Sequence, residues 1–256
     1  MRTKVQRCSA LYLVCVAATL LMATASVAEI DMATAVGIWL FDEGKGDTTK
    51  DISGLGNDGK LVKSPAWVEG KFGSAMEFNG KDNCVDTEQK LLDSLQEFTI
   101  MCWVKTGNVV AGRVGLVGQN DSPEFGFIDP GNVNLWTPTA GGLSNPWKFG
   151  HPSEDWHHVG AVADGKGTRV YIDGEAIAGG SPGNHGTSAF NVHIGGCGVW
   201  DGDGNWFTGA IDEVAIFHSA LDDDDFKTLM EGFNTLLAVE ARGKLTLTWG
   251  ELKVKR

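Results

Sequence analysis

Long hydrophobic runs are missing from almost all of this 256-residue sequence. Its one extended apolar stretch, residues 10–23, is shorter than the roughly 20 residues that a membrane-spanning helix needs. Basic residues at positions 2, 4 and 7 precede this stretch, and Ser26, Val27 and Ala28 supply the small residues of a signal-peptidase site. We therefore predict a signal peptide over residues 1–28. The mature protein is predicted to be secreted to an extracellular, periplasmic or cell-surface location, without membrane insertion.

Basic residues are scarce as well. The chain has 21 Lys and Arg against 33 Asp and Glu, and three of the basic residues lie in the predicted signal peptide. Their removal takes the formal charge from −12 to −15. Nucleic acids and anionic membranes attract basic surfaces, so the charge excludes them as favoured partners.

Cysteines are too few for a disulfide framework. Of five cysteines, Cys8 and Cys15 belong to the predicted signal peptide, which leaves Cys84, Cys102 and Cys197. One disulfide with a free thiol and three packed thiols are both compatible with an odd number, and no Cys or His spacing indicates zinc or redox chemistry. We expect a fold that does not depend on a disulfide, and Cys84 with Cys102 as the pair if one forms.

Helix-period segments are nearly absent, whereas glycine is abundant. All 35 glycines follow residue 28, and short β-type runs recur between Gly, Asn, Asp and Pro. Strands at that spacing are typical of an all-β sandwich or barrel. In one run, positions 98, 100, 102 and 104 share one face and positions 99, 101, 103 and 105 share the other, and both faces are bulky, as in a central strand. We predict one such domain over residues 29–235.

The end of this domain carries the one credible helix. Four aspartates, residues 222–225, precede Phe226, Leu229 and Met230 at helical spacing, so we interpret the acidic run as a helix cap and not a metal site. Residues 236–256 change character and end in basic residues. They are predicted to be a C-terminal extension or an edge strand.

Short matches to nucleotide-binding and catalytic motifs occur in the sequence, but each lacks a feature that its motif requires. Residues 54–59 match G-x-G-x-x-G without the required strand and helix, so they are interpreted as a turn. Residues 179–183 match G-x-S-x-G, but Pro182 has no N–H for an oxyanion hole. Glu124 and Asp129 only flank a β-type run and do not alternate within it, as a glycosidase pair on one strand would. No catalytic residue is predicted.

Oxygen-rich side chains raise the possibility of calcium. Residues 201–212 imitate an EF-hand loop, but Trp206 stands where the turn needs glycine. Asp212 shares strand parity with Val214 and Ile216, so it faces the core if they do, and a buried carboxylate needs a cation or several donors. Calcium and hydrogen bonds from loop N–H groups are both open.

Four tryptophans lie in or beside polar loops: Trp136, Trp147, Trp200 and Trp206. An indole ring beside Asp or Asn is suited to stacking on a sugar, although such rings also close the ends of a sandwich. The loop position favours recognition, because loops on a rigid scaffold commonly carry binding residues.

Seven segments, in this order, resemble laminin G-like jelly-roll domains of the concanavalin A-like lectin/glucanase superfamily. They are WLFDEG at 39–44, DISGLGNDG at 51–59, FNG at 78–80, FTIMCWVK at 98–105, WHHV at 156–159, VYIDG at 170–174 and FTGAIDEV at 207–214. The resemblance implies two antiparallel sheets packed face to face, glycan binding and often a calcium ion. The closely spaced acids of the superfamily's catalytic members are missing here.

The sequence thus predicts an all-β, two-sheet antiparallel jelly-roll sandwich with one short helix near the C-terminus. We predict a secreted, non-catalytic domain that binds carbohydrate or glycosylated surfaces with a structural calcium ion. The predicted ligand residues are Asp121, Trp147, Trp200, Asp201, Asp203 and Trp206, and the predicted calcium ligands are Asp42, Asp51 and Asp212. The alternative is a structural adhesion or assembly module that binds proteins through a sheet edge or its C-terminal strand.

Overall fold

The computed structural model describes residues 30–201 and 204–234. The predicted signal peptide, Asp203 and the C-terminal segment 236–256 lie outside these residues. Within them, no helix combines the length and the apolar character that crossing a membrane requires.

Two antiparallel sheets form the domain. In chain order the strands are β1 Ala35–Trp39, β2 Thr48–Thr49, β3 Gly59–Val62, β4 Ala66–Glu69, β5 Ser74–Asn79, β6 Cys84–Asp86, β7 Glu97–Thr106, β8 Val114–Gly118, β9 Glu124–Asp129, β10 Asn132–Thr137, β11 Gly141–Pro146, β12 His157–Asp164, β13 Thr168–Ile172, β14 Glu175–Gly179, β15 His193–Ile194 and β16 Thr208–Phe217. Sheet A has the order β14-β13-β12-β7-β16-β5-β4, with β1 also paired to β16. Sheet B has the order β11-β10-β9-β8-β15-β6-β3-β2. The jelly-roll prediction is confirmed.

The larger hydrophobic core lies between the sheets. On β7, Phe98, Ile100, Cys102 and Val104 belong to this core, whereas Met101 on the other face belongs to a second one. Both faces of β7 are therefore buried, as the sequence predicts for a central strand, and β7 lies between β12 and β16.

The second core lies where helix α1, Asp223–Leu229, packs on sheet A. Phe226 of the helix stacks on Tyr171 of β13 at 4.1 Å between ring centroids. Asp222 caps the helix by accepting hydrogen bonds from the N–H groups of Asp224 and Asp225, so the acidic run is a helix cap as predicted.

The predictions of three packed thiols and of Cys84 with Cys102 as the pair are wrong, whereas independence of the fold from a disulfide stays a prediction. Cys84 of β6 and Cys197 form a disulfide, and Cys102 is buried as a free thiol. The Cα atoms of Cys84 and Cys197 lie 5.9 Å apart, although 113 positions separate them in sequence. Cys102 instead faces the core between the sheets, where its side chain acts as a small apolar group.

Candidate functional site

A polar cavity of about 430 Å³ opens on the outer face of sheet B, where β9 begins and β10 ends. Its lining residues come from the end of the loop before β8, the β8–β9 turn, the two strands and the segment after β15. They are Arg113, Asn120, Asp121, Glu124, Ile128, Trp136, Trp200 and Asp201.

Strand alternation places Glu124 and Trp136 side by side on this face. Phe125 and Leu135 belong to the core between the sheets, so the residue before Phe125 and the residue after Leu135 point away from it. Glu124 and Trp136 are direct cross-strand partners in the β9–β10 pair. Trp136 is half-buried, so its ring contributes apolar surface beside a carboxylate.

Glu124 is almost completely buried, with 2% of its surface exposed. Its Oε1 accepts a hydrogen bond of 2.8 Å from the N–H of Asp121. Burial raises the pKa of Glu124 to about 8, and the carboxylates of Asp121 and Asp201 act in the same direction. The Asp121 N–H and Arg113 oppose the rise without cancelling it. At neutral pH this side chain therefore carries a proton in the folded protein.

The turn between β8 and β9 holds Asp121 at the rim. Asp121 adopts a φ of +63°, a left-handed conformation that aspartate tolerates better than most residues. Ser122 fixes the turn, because its N–H donates to the Gln119 carbonyl at 3.0 Å and its hydroxyl donates to the Leu92 carbonyl at 2.7 Å.

The opposite wall is the loop from Gly195 to Trp206, of which the structure describes all but positions 202 and 203. Cys197 attaches this loop to β6. Val199 packs on β8 where glycine leaves room, because a Cβ atom at Gly115 would lie 2.5 Å from the Val199 Cβ. Close packing of this kind fixes where the next two residues, Trp200 and Asp201, can lie.

Arg113 and Trp200 complete the wall. The Arg113 guanidinium donates to the Trp200 carbonyl and forms an ion pair with Asp201, both at 3.3 Å. Arg113 and Asp201 are both about half exposed, so the pair contributes little stability. The Trp200 side chain is buried, and within the described residues its Nε1–H has no hydrogen-bond acceptor. A buried donor without an acceptor lowers the stability of the folded protein.

The predicted ligand residues separate into groups. Asp121, Trp200 and Asp201 line the same cavity. Trp206 lines a second cavity of about 180 Å³, together with Asn79, Asn108 and Thr208 among others. Asp203 lies outside the described residues.

Trp147 is part of the core and not of the cavity. Only 7% of its surface is exposed, and its ring lies edge-on to Phe127 at 5.1 Å. Its position after β11 in a Gly- and Pro-containing segment looks like a loop in sequence, but the chain folds back against the sheet there. The prediction that Trp147 offers a free ring to a ligand therefore finds no support in this packing.

The predicted calcium ligands do not fit one ion. Asp51 accepts four hydrogen bonds, from the N–H groups of Ile38, Ser53 and Asn57 and from the Ser53 hydroxyl, at 2.7 to 3.0 Å. Among the residues that the structure describes, no three or more His, Cys, Asp or Glu side chains form a group able to hold a metal. Calcium stays a prediction.

Asp212 is fully buried, as predicted, but it does not share a face with Val214. Ile211 and Val214 both face the core between the sheets, and a bulge at Glu213, with a φ of +49°, breaks the alternation. Asp212 accepts from the N–H groups of Phe72 and Glu213 at 3.0 and 2.8 Å. Burial raises the pKa of Asp212 to about 7, with a further contribution from Glu213. Asp212 therefore has hydrogen-bond donors of the kind that the alternative to calcium requires.

The six predicted ligand residues do not include Arg113, Glu124 or Trp136, although Trp136 is one of the four loop tryptophans suited to stacking on a sugar. Trp136 carries a signal in the sequence, since it lies among polar residues near a turn. Glu124 becomes a site residue through the register of β9 with β10, because that register brings the carboxylate beside the indole ring. The pairing depends on a bulge between Asn132 and Val133, which sequence alternation does not reveal.

The two sheets and the cavity together are typical of a jelly-roll domain of the binding-domain type. A laminin G family model, described as the concanavalin A-like lectin/glucanases superfamily, matches residues 79–226, more than half of the chain. The chain belongs to this superfamily. No curated protein matches its sequence.

Solved structures share the fold at low sequence identity. Domain 4 of AbnA, a GH43 extracellular arabinanase from Geobacillus stearothermophilus solved with arabinotriose, is 22% identical with a TM-score of 0.61, and the match covers 77% of this chain and 98% of that domain. The binding domain of botulinum neurotoxin DC, solved with rat synaptotagmin II, is 16% identical with a TM-score of 0.54, covering 80% and 52%. Trypanosoma rangeli sialidase with sialic acid is 15% identical with a TM-score of 0.53, covering 80% and 34%.

Proposed function

We propose that this protein is a secreted, non-catalytic carbohydrate-binding domain, and that the cavity beside Trp136 is its binding site. The observation that carries the proposal is the combination of a half-buried indole ring with hydrogen-bonding groups around one cavity. Sugars need both, because their C–H faces stack on aromatic rings and their hydroxyls pair with polar groups.

The polar groups at the rim of the cavity support the same conclusion. Carboxylates at the rim, such as Asp121, accept hydrogen bonds from hydroxyl groups. Sugars, which carry several hydroxyl groups, match such a rim.

The comparisons supply a further argument. The arabinanase domain, which the match covers almost completely, was solved with a bound arabinotriose, and a second botulinum neurotoxin DC structure contains SialylT. These domains have the architecture of this chain. The disulfide supports the predicted export, because disulfides persist mainly in oxidising compartments.

A glycan array tests the proposal, followed by retention on a column of the glycan that binds best. Trp136→Ala should lose retention, with a change in the free energy of unfolding of about 1 kcal/mol or less, because the ring is only half-buried. Trp206→Ala is the matched control, since Trp206 is also half-buried but lines the second cavity.

Two results would contradict the proposal. Loss of retention in Trp206→Ala with normal retention in Trp136→Ala would move the binding site to the second cavity. An array on which the protein binds no glycan would favour the assembly-module alternative.

A further inference from the structure

The cavity has an uneven distribution of charge. Asp121, Glu124 and Asp201 contribute carboxyl groups, whereas Arg113 is the one basic residue among the described residues that line it. The Arg113 guanidinium is already paired with Asp201 at 3.3 Å. Little positive charge is therefore left for an incoming anion.

Glu124 makes the cavity unfavourable to anions in either protonation state. As a carboxylate it repels an acidic ligand directly, and as a neutral acid it leaves Asp121 and Asp201 as the charges at the rim. Its burial shields it from water, so charges placed near it interact more strongly than they would on an open surface. The cavity potential is negative in both cases.

We propose that this cavity selects sugars by charge, accepting neutral and amino sugars and excluding sugars that carry a carboxylate. The selection rests on the proposed carbohydrate-binding function and narrows its ligand class. A neutral sugar offers hydroxyl donors to the rim carboxylates without placing a second anion beside Asp121. An ammonium group gains attraction from the rim carboxylates.

The direct test uses matched glycan pairs at low salt: sialylated against desialylated N-glycans, uronate oligomers against neutral hexose oligomers of equal length, and N-acetylated against free-amine glucosamine oligomers. We expect at least a tenfold preference for the neutral member over the acidic one, and equal or stronger binding of the free amine. Salt should narrow these differences. Equal or stronger binding of acidic members would overturn the proposal.

The double variant Asp121→Asn/Asp201→Asn removes two negative charges with little change in shape. The relative binding of acidic glycans should rise about tenfold. The matched control Glu175→Gln/Glu231→Gln removes the same charge from exposed positions on β14 and beyond α1, and should leave the preference unchanged. A preference that is the same in all three proteins would overturn the proposal.

A second measurement tests the negative potential of the cavity without a glycan. If no glycan binds, the proposed function fails, and this measurement still decides whether the cavity is negative. Trp136 fluorescence, taken as the difference between the wild type and Trp136→Phe, is quenched with iodide and with caesium. Each quenching constant is divided by the constant of the same ion for free N-acetyltryptophanamide, because iodide quenches indole more efficiently than caesium does. The scaled constant should be larger for caesium than for iodide, and Asp121→Asn/Asp201→Asn should reduce the difference. Equal scaled constants, or a larger one for iodide, would overturn a negative cavity.

Discussion

Two loops of this protein look alike in sequence and differ in structure. The segment at 51–58 reads DISGLGND, and the segment at 195–206 reads GGCGVWDGDGNW, so both are rich in Gly, Asp and Asn. In the first, the Asp51 carboxylate accepts four hydrogen bonds and ties the loop to β1 through the N–H of Ile38. The second is held from outside, by the bond between Cys197 and Cys84 and by Val199 on β8.

The difference separates a loop whose polar groups are paired within the protein, here called the structural loop, from the loop that lines the proposed binding cavity. Asn57 also bonds the first loop to β1, since its side chain donates to the Val36 carbonyl at 2.7 Å and its carbonyl accepts from Trp39 at 2.9 Å. The polar groups of Asp51 and Asn57 are therefore hydrogen-bonded within the protein. The second loop keeps Trp200 and Asp201 at a cavity, with an indole N–H that has no acceptor in the described part of the chain. Acidic loops with similar sequences thus differ in whether their polar groups are paired within the loop or lie at a cavity.

Among the changes that test this comparison, removal of the disulfide should lower the free energy of unfolding most. Cys84→Ser/Cys197→Ser should lower the free energy of unfolding by about 4 kcal/mol, because the bond closes a long loop in the unfolded chain. Urea unfolding measures the loss. The control is Cys102→Ala, which removes the buried free thiol and should lower the free energy of unfolding by about 1 kcal/mol. A loss below that of the control would show that packing alone holds the loop at the proposed binding cavity.

The structural loop should respond next most strongly to the loss of its carboxylate. Asp51→Ala removes the acceptor for four donors, among them the buried N–H of Ile38, and should cost about 3 kcal/mol. Asp47→Ala is the control, because Asp47 is exposed, and it should change stability by less than about 0.5 kcal/mol. Equal effects of the two substitutions in thermal or urea unfolding would contradict the structural role of Asp51.

The sequence predicts much of the fold because local rules decide it. Alternation on β7 identifies a central strand, the aspartates before Phe226 identify a helix cap, and Asp173-Gly174 predicts the tight turn of the β13–β14 hairpin, where both residues have positive φ. These features depend on neighbours along the chain.

The site depends on distant segments, and the sequence predicts it less well. The partner of Cys84 lies 113 positions away. Glu124 joins the site through the register of a hairpin, and the bulge at Glu213 reverses the parity on which the Asp212 argument depends. A one-residue shift moves every later side chain to the other face, and composition does not signal it.

The buried acid of the cavity, Glu124, should make the stability of the protein depend on pH. The pKa of Glu124 is raised to about 8, so the folded protein binds more protons than the unfolded chain between about pH 4.5 and 8, and stability falls as pH rises through that window. Glu124→Gln removes this titration and should recover roughly 3 to 4 kcal/mol at pH 8.5 relative to pH 5, because one pKa unit corresponds to about 1.4 kcal/mol. Asp212 and Glu213 contribute in the same direction in both proteins.

Urea unfolding of the wild type, Glu124→Gln and the exposed control Glu231→Gln across this pH range measures the effect. The wild type and the control should follow the same curve, and Glu124→Gln should be flatter. Parallel curves for all three would show that Glu124 is not a buried titrating group.

The smallest expected effect is that of calcium on the structural loop. A bound ion at a hundredfold excess over its Kd would add about 2.7 kcal/mol, which a thermal melt detects easily. The oxygens of Asp51 already accept N–H and O–H donors, and Asp212 accepts from the backbone of Phe72 and Glu213, so an ion would have to displace these bonds. We expect melting temperatures with calcium and with a chelator to agree within about 1 °C.

A rise of several degrees that Asp212→Asn abolishes and Asp47→Asn leaves unchanged would establish the calcium site that the sequence predicts. The same rise, kept in Asp212→Asn, would place the ion away from these carboxylates.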